Sequence, residues 1–348
     1  MKFPDKLLPI IVQKQTEEKE AYYIYLSDII RANCQMFSGI PYQPKSIHFA
    51  SMANSNKNFL TIVKEEGLSA FANSKGHYRL LQDAGFSGKD IVFTASAMDK
   101  ENMQFLKETG SQVNLDSYAQ LLLWKKLFPN TKTGIRCNIG DYTETRLTRA
   151  GYFIGKESRL GFNALELEKI KGDPIINGLH LYVGTDIMDV DYFMKCYNAL
   201  LHIAKLFPNI EYLNLGGGFG IDEKGESVFN MQEYSKKVSE LMQKVEAELG
   251  KTMKLILEPG RIIGGNAGFF VCRVTDIKPR DDHYFVGVNA SSVQFPRPLL
   301  YPDDARHPLL IIRNGKIVTE GEMVKLSVYG CSTYSRDFLR KDALLPLP

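Results

Sequence analysis

Four glycines in five residues, Gly216-Gly217-Gly218-Phe219-Gly220, form the first segment of this sequence whose residue types could do chemistry. Absent side chains let backbone N–H groups approach a phosphate closely. The run lacks the spacing of the dinucleotide and nucleotide fingerprints, and a plain flexible turn would look the same. Further on, Glu258-Pro259-Gly260-Arg261 places a carboxylate and a guanidinium around a rigid turn. A surface ion pair is the bland reading of Glu258 and Arg261. Taken together the two segments are more specific, because a phosphate site beside a carboxylate fits pyridoxal 5'-phosphate, whose pyridinium nitrogen needs an acidic partner.

These segments need elements to position them. From Ser46 to about Glu258 short β-branched or aromatic runs alternate with helical patterns, the signature of parallel βα units. The strand candidates are Ile47–Ala50, Ser69–Ala72, Ile91–Thr94, Gln112–Leu115, Gly134–Cys137, Leu179–Val183, Tyr212–Leu215 and Leu255–Leu257, with helices such as Tyr118–Leu127, Tyr192–Leu206 and Met231–Leu249 between them. This order predicts an α/β fold, a (βα)8 TIM-type barrel, over residues 27–261. The glycine run then follows the seventh strand and Glu258 the eighth, at the face where barrels bind ligands. Arg136 falls in the fifth strand, and an arginine pointing into a barrel calls for an anion or carboxylate nearby. Beyond Arg261 strand-like runs such as Phe269–Val274 and Tyr284–Val288, punctuated by Gly, Pro and Asp-Asp, predict a smaller antiparallel β domain made of residues 1–26 plus 262–348, with Ala21–Leu26 joining it.

Composition sets outer limits. The 348 residues carry 43 Lys and Arg against 40 Asp and Glu, a net charge of +3 too even to imply nucleic acid or an anionic membrane surface as partner. A hydrophobic fraction of 44% with 24% charged residues describes an ordinary globular protein rather than a disordered or fibrous chain. No apolar run approaches the roughly 18 to 20 residues needed to span a bilayer, and the opening Met1–Lys6 leads only into a short Pro-broken apolar patch, so neither a span nor a signal peptide is expected. The five cysteines, Cys34, Cys137, Cys196, Cys272 and Cys331, are scattered and never form a Cys-x-x-Cys pair. A reducing cytoplasm and no metal site are the expectation. His48 and His180 fall on strands and His202 on a helix; core or surface roles are the default, except for His180, whose neighbour faces the site.

Nearly the whole chain resembles the fold-type III pyridoxal-phosphate decarboxylases, the family of diaminopimelate, ornithine and arginine decarboxylases. Phe49-Ala50-Ser51-Met52-Ala53-Asn54-Ser55-Asn56 resembles the family's first-strand motif, and Ala72-Asn73-Ser74-Lys75 its second-strand segment. Gly178 to Thr185 resembles the sixth-strand motif, Gly216 to Phe219 and Glu258 to Arg261 the phosphate and pyridine sites, and Arg297-Pro298-Leu299-Leu300-Tyr301 the substrate loop of the β domain. The resemblance implies that Gly217 and Gly218 cradle the phosphate, with Gly260 and Arg261 beside it. It further implies that Glu258 pairs with the ring nitrogen, that Arg136 lies beneath the cofactor, and that Arg297 and Tyr301 meet a small amino-acid substrate. A head-to-tail homodimer is likewise an implication of the resemblance. Gly217→Val is expected to block the phosphate while leaving the barrel folded.

The departures from the family pattern are equally informative. Met52 stands where the family has its Schiff-base lysine, and a thioether has no amine. Lys57 and Lys75 are the nearest replacements, Lys75 the better one because it sits at the end of the second strand and strand ends face the site. Tyr182 replaces the histidine that stacks on the cofactor, a role that needs only a flat aromatic face. His77 replaces a glutamate after the second strand. Near Gly330-Cys331-Ser332-Thr333-Tyr334-Ser335-Arg336-Asp337, Thr333 takes the position of the catalytic cysteine; Cys331, two residues away, either substitutes from the same strand face or is a buried inert cysteine. The family continues past the point where this chain ends at Pro348, which leaves either a truncated chain or an unusually small β domain. Two readings follow. One is a decarboxylase-like enzyme holding its cofactor non-covalently; the other is a catalytically silent homologue with a binding or regulatory role. A lysine knock-out of an active enzyme fits less well, because Tyr182, His77 and Thr333 have changed too.

Overall fold

Consecutive helices of the chain begin on a side chain that accepts one of their own unpaired N–H groups. Asn56, Ser74, Asp99, Ser117, Asn163, Asp189 and Asn230 receive bonds from Phe59, His77, Asn102, Gln120, Glu166, Tyr192 and Glu233. Such caps fix where each helix starts and so how far each preceding strand and loop can run. The computed structural model describes residues 3–15, 17–148, 150–222, 228–303, 305 and 307–348.

In chain order, helix α1 (Leu7–Lys14), strand β1 (Tyr22–Tyr25) and helix α2 (Ser27–Ser38) come first. Next come β2 (Lys45–Ala50), α3 (Lys57–Glu65), β3 (Ser69–Ala72), α4 (Lys75–Asp83), β4 (Ile91–Ala95), α5 (Lys100–Thr109), β5 (Gln112–Leu115) and α6 (Tyr118–Leu127). The series continues with β6 (Thr133–Arg136), α7 (Ala164–Lys169), β7 (Ile176–His180), α8 (Val190–Ala204), β8 (Tyr212–Asn214), α9 (Met231–Leu249), β9 (Lys254–Leu257) and α10 (Arg261–Gly264). Strands β2 to β9 pair in parallel and close on themselves, so the expected (βα)8 barrel is present. Ser69–Ala72, Gln112–Leu115, Tyr118–Leu127 and Met231–Leu249 form as read from the sequence.

The sixth barrel strand differs: Ile176–His180 replaces the expected Leu179–Val183. The strand includes Gly178. A Cβ on Gly178 would lie 1.9 Å from Cζ of Tyr212, so the strand gives up a side chain to admit that ring to the barrel interior. The Tyr212 hydroxyl donates to Asn114 Oδ1 at 2.8 Å, and Asn114 Nδ2 donates to Thr94 Oγ1 at 3.0 Å. Part of the interior is therefore a hydrogen-bonded polar chain, each member satisfied.

The remaining elements are β10 (Gly268–Val271), β11 (Val274–Arg280), β12 (His283–Val288), α11 (Arg297–Leu300), β13 (Ile312–Arg313), β14 (Lys316–Ile317), β15 (Met323–Tyr329) and β16 (Phe338–Pro346). They form the second unit with the N-terminal residues to Tyr25, whose β1 pairs antiparallel with β10. Its four-stranded sheet runs β11-β12-β15-β16, antiparallel except for the parallel β12–β15 pair, over a core of Val286, Leu326 and Ala343. The run Phe269–Val274 is split in two, because the Arg273 N–H goes to the Asn289 side chain at 2.7 Å instead of to a strand neighbour. The barrel unit comprises Leu26–Ile221 and Phe229–Ala267, so it extends past the expected boundary at 261. Asn33 on α2 holds that segment, its Nδ2 donating to Ile263 O at 2.9 Å and to Asn266 Oδ1 at 2.8 Å. Among the described residues no helix is long and apolar enough to cross a membrane.

His48 supplies a test of the barrel interior. It is 4% exposed, with Nδ1 3.2 Å from Ala70 O and Nε2 2.9 Å from Ser46 Oγ, and burial depresses its pKa from 6.5 to about 4. The unfolded chain protonates first as pH falls, so this stability is complete above pH 6.5 and is lost on the way to pH 4. Denaturant titrations of the parent should show about 3 kcal/mol more loss across that window than the same titrations of His48→Gln. Equal losses would refute the assignment.

Candidate active site

The carboxyl ends of β6, β7 and β8 present Arg136, His180 and Asn214 side by side, in register across adjacent strands. Glu258, directly after β9, completes the group and is 4% exposed. Asn214 Nδ2 donates to Glu258 Oε1 at 2.6 Å, and His180 Nε2 faces Oε2 at 3.3 Å. The carboxylate retains acceptor capacity for a further donor. His180 Nδ1 is buried without a hydrogen-bond partner. Neither Asn214 nor the His180 contact was identified from sequence; the only signal was a polar residue inside the apolar runs Tyr212–Leu215 and Leu179–Val183.

The glycine run leaves β8 and crosses between the ends of β7 and β9. Its first N–H, of Gly216, donates to Asn214 Oδ1 at 3.0 Å, so one amide side chain holds both Glu258 and the start of the run. A Cβ on Gly217 would fall 2.1 Å from the Glu258 carbonyl oxygen, and one on Gly218 would fall 2.3 Å from the Gly184 carbonyl oxygen. Gly218 also has φ +101°, which L side chains avoid. The expectation that Gly217→Val leaves the barrel folded is thus corrected: the glycine is required by backbone packing before any ligand arrives. Ile187 N donates to Gly218 O and Gly220 N to Ile187 O, each at 2.9 Å. The N–H groups of Gly217, Gly218 and Phe219 have no acceptor among the described residues. Successive unpaired amides of this kind suit an anion. Phe219 anchors the run, its ring centroid 5.0 Å from Phe37, 5.1 Å from Phe193 and 5.0 Å from Tyr234 on three helices.

Arg261 Nη1 bonds both carboxylate oxygens of Asp186, a partner the sequence did not suggest. Arg136 is largely buried, its guanidinium 3.7 Å from Asp116 and donating no hydrogen bond to a described residue. Burial holds its pKa below the ordinary arginine value, with Asp116 and Glu258 pulling the other way. Asp116 in turn accepts from Ser96 Oγ at 2.6 Å and from Gly161 N at 3.1 Å. Burial pushes the Tyr182 phenol up to about 12, against the opposing Thr185 hydrogen bond, so at neutral pH it offers an uncharged ring. Phe153 packs edge-on against that ring at 4.9 Å.

Met52 lies in the turn that closes β2, where Ala53 N donates to Ala50 O, and is 38% exposed. Gly260 reaches the same turn, since a Cβ there would lie 3.1 Å from those of Ala50 and Ala53. Lys57 opens α3 and is exposed. Lys75 opens α4 rather than ending a strand, and its Nζ lies 5.7 Å from the Phe105 ring centroid on α5, in the helix layer. His77 serves the first turn of α4, Nδ1 3.0 Å from Asn73 Oδ1.

Three expected site residues belong to the other unit. Arg297 and Tyr301 stand one turn apart at α11, with the guanidinium 5.9 Å from the ring centroid. Thr333 and Cys331 are exposed in the loop between β15 and β16, so Cys331 is not the buried cysteine expected. The strand argument for equivalent faces does not apply to a loop. Asp337 organises that loop, accepting from Ser292 N at 2.7 Å and Ser332 N at 3.2 Å.

Fold and site together define an α/β barrel protein with a backbone anion nest beside a buried, amide-held carboxylate, which fits a phosphorylated pyridine cofactor. Residues 26–265 match the family described as pyridoxal-dependent decarboxylase, pyridoxal binding domain, and the chain belongs to that family. Diaminopimelate decarboxylase of Methanothermobacter thermautotrophicus is 28% identical over 330 residues, covering 89% of this chain and 73% of the relative. The Archaeoglobus fulgidus diaminopimelate decarboxylase is 26% identical over 313 residues, covering 86% and 73%. The fold is shared with diaminopimelate decarboxylase from Helicobacter pylori complexed with L-lysine, at TM-score 0.82 and 22% identity, covering 97% of this chain and 85% of that one. Lysine/ornithine decarboxylase from Vibrio vulnificus complexed with putrescine gives TM-score 0.81 and 18% identity, covering 100% and 90%.

Because the methyl of alanine at 217 would meet backbone rather than a movable side chain, Gly217→Ala should destabilise the protein by about 2 kcal/mol or more. A thermal melt in the absence of ligand checks this, and an unchanged midpoint would mean the run is slack.

Proposed function

We propose that this chain binds pyridoxal 5'-phosphate at the barrel mouth without a lysine link, and that it acts as an amino-acid decarboxylase-like protein on a small amino acid. The observation that carries the reading is Glu258, a buried carboxylate held by Asn214 and His180 beside the unpaired amides of Gly217 and Gly218. When bound, the cofactor supplies the electron sink that decarboxylation requires. Glu258 would hold the proton on the ring nitrogen, the glycine amides would hold the phosphate, and Tyr182 would offer its uncharged face to the ring. Arg136 would supply positive charge to the same interior, and substrate recognition is assigned to Arg297 and Tyr301 by resemblance. A cytoplasmic homodimer belongs to the same reading. The family relatives are named for diaminopimelate, lysine and ornithine, so diamino acids form the first substrate panel.

The silent homologue is the second reading. It is favoured by Met52 and Thr333 at positions where the family carries reactive groups, and by Lys75, whose ammonium is engaged over Phe105.

Titration with pyridoxal phosphate, followed by borohydride reduction and intact mass measurement, tests the first reading. The parent should bind saturably and carry no cofactor fixed by reduction. Met52→Lys should gain one fixed cofactor on the peptide that includes position 52, and Glu258→Gln should bind at least about tenfold more weakly, as expected for losing a charge-assisted hydrogen bond. Cofactor fixed on another lysine of the parent, or equal affinity in Glu258→Gln, would overturn the assignment. Release of CO2 from the panel separates the enzyme from the silent homologue.

A further inference from the structure

We propose that Asp186 is a specificity-determining residue of the glycine-run anion site: it holds the Arg261 guanidinium, so that backbone N–H groups alone bind a phosphoryl group and the phosphorylated ligand exchanges readily. The inference rests on the preceding reading that this run takes the cofactor's phosphate.

Asp186 is carried at the edge of the run by its neighbour. Ile187 bonds Gly218 and Gly220 through its N–H and C=O, and a Cβ on Gly220 would lie within 2.9 Å of the Asp186 backbone. The backbone of Asp186 is therefore fixed against the end of the run whose Gly217, Gly218 and Phe219 amides have no acceptor among the described residues. Arg261 reaches the same edge and spends its Nη1 on both Asp186 oxygens. The side chains are 26% and 17% exposed, so solvent screens this pair less than a surface ion pair. A phosphate dianion brought to the nest meets a guanidinium and a carboxylate together, and the two nearly cancel. Backbone amides remain as donors, which suits a monoester phosphate held without a fixed cation.

Asn is the discriminating replacement. It keeps the shape, and it tolerates the left-handed conformation of residue 186, φ +59°, as well as Asp does. Inorganic phosphate, pyridoxal phosphate and pyridoxal are titrated against the full-length parent, Asp186→Asn, Asp186→Ser, Arg261→Met and the Asp186→Asn/Arg261→Met double variant. Phosphate is read by phosphorus NMR and the vitamers by fluorescence. Asp186→Asn and Asp186→Ser should both tighten phosphate and pyridoxal phosphate by at least about tenfold, the scale of one charge-assisted bond. Pyridoxal should be unaffected, and the gain should vanish in the double variant. Unchanged or weaker phosphate binding in folded Asp186→Asn, or a gain that survives the loss of Arg261, would overturn the proposal. A parent that binds phosphate but neither vitamer would sink the proposed function, while the phosphate series would still decide this inference. Failure of both the parent and Asp186→Asn to bind phosphate or pyridoxal phosphate would overturn both.

Discussion

A carboxylate withdrawn from water inside a barrel must be given donors, because its desolvation otherwise costs several kcal/mol. Glu258 imposes that demand, and the ends of the adjacent strands are arranged to meet it. Asn214 turns its amide nitrogen to the carboxylate, which leaves its carbonyl oxygen for Gly216. The position of the acid and the start of the glycine run are therefore set by a single side chain. His180 occupies the second oxygen, and Arg136, in register with it on the next strand, supplies positive charge to the same interior.

What was legible in the sequence was whatever depends on local pattern. Ser69–Ala72 and Gln112–Leu115 alternate or bury continuously between capped helices, and both their type and their limits could be read. The motifs Gly216–Phe219 and Glu258–Arg261 were legible as positions, but not the reasons for their residues. The need for glycine at 217 arises from the carbonyl of Glu258, far along the chain, and no local pattern reports an approach of that kind. Asp186 and Asn214 were passed over for a similar reason: each is an ordinary polar residue until its distant partner is known. The strand ends at Ala72 as read, but the Ser74 cap begins a helix at once, so Lys75 opens that helix instead of sitting at the strand end. Cys331 was misplaced because a face argument that holds in strands was extended into the loop that Asp337 organises.

Phe219 has a consequence for the segment it interrupts. Glycine-rich backbone is ordinarily the loosest part of a chain, and fixing each such residue costs more entropy than for any other type. Here the middle of the run ends in a ring wedged among aromatic side chains of three helices. The stiffness of those helices is thereby lent to a stretch that has none of its own. Ordering of these amides is thereby completed during folding of the barrel, so that no further ordering cost would fall on a ligand's arrival.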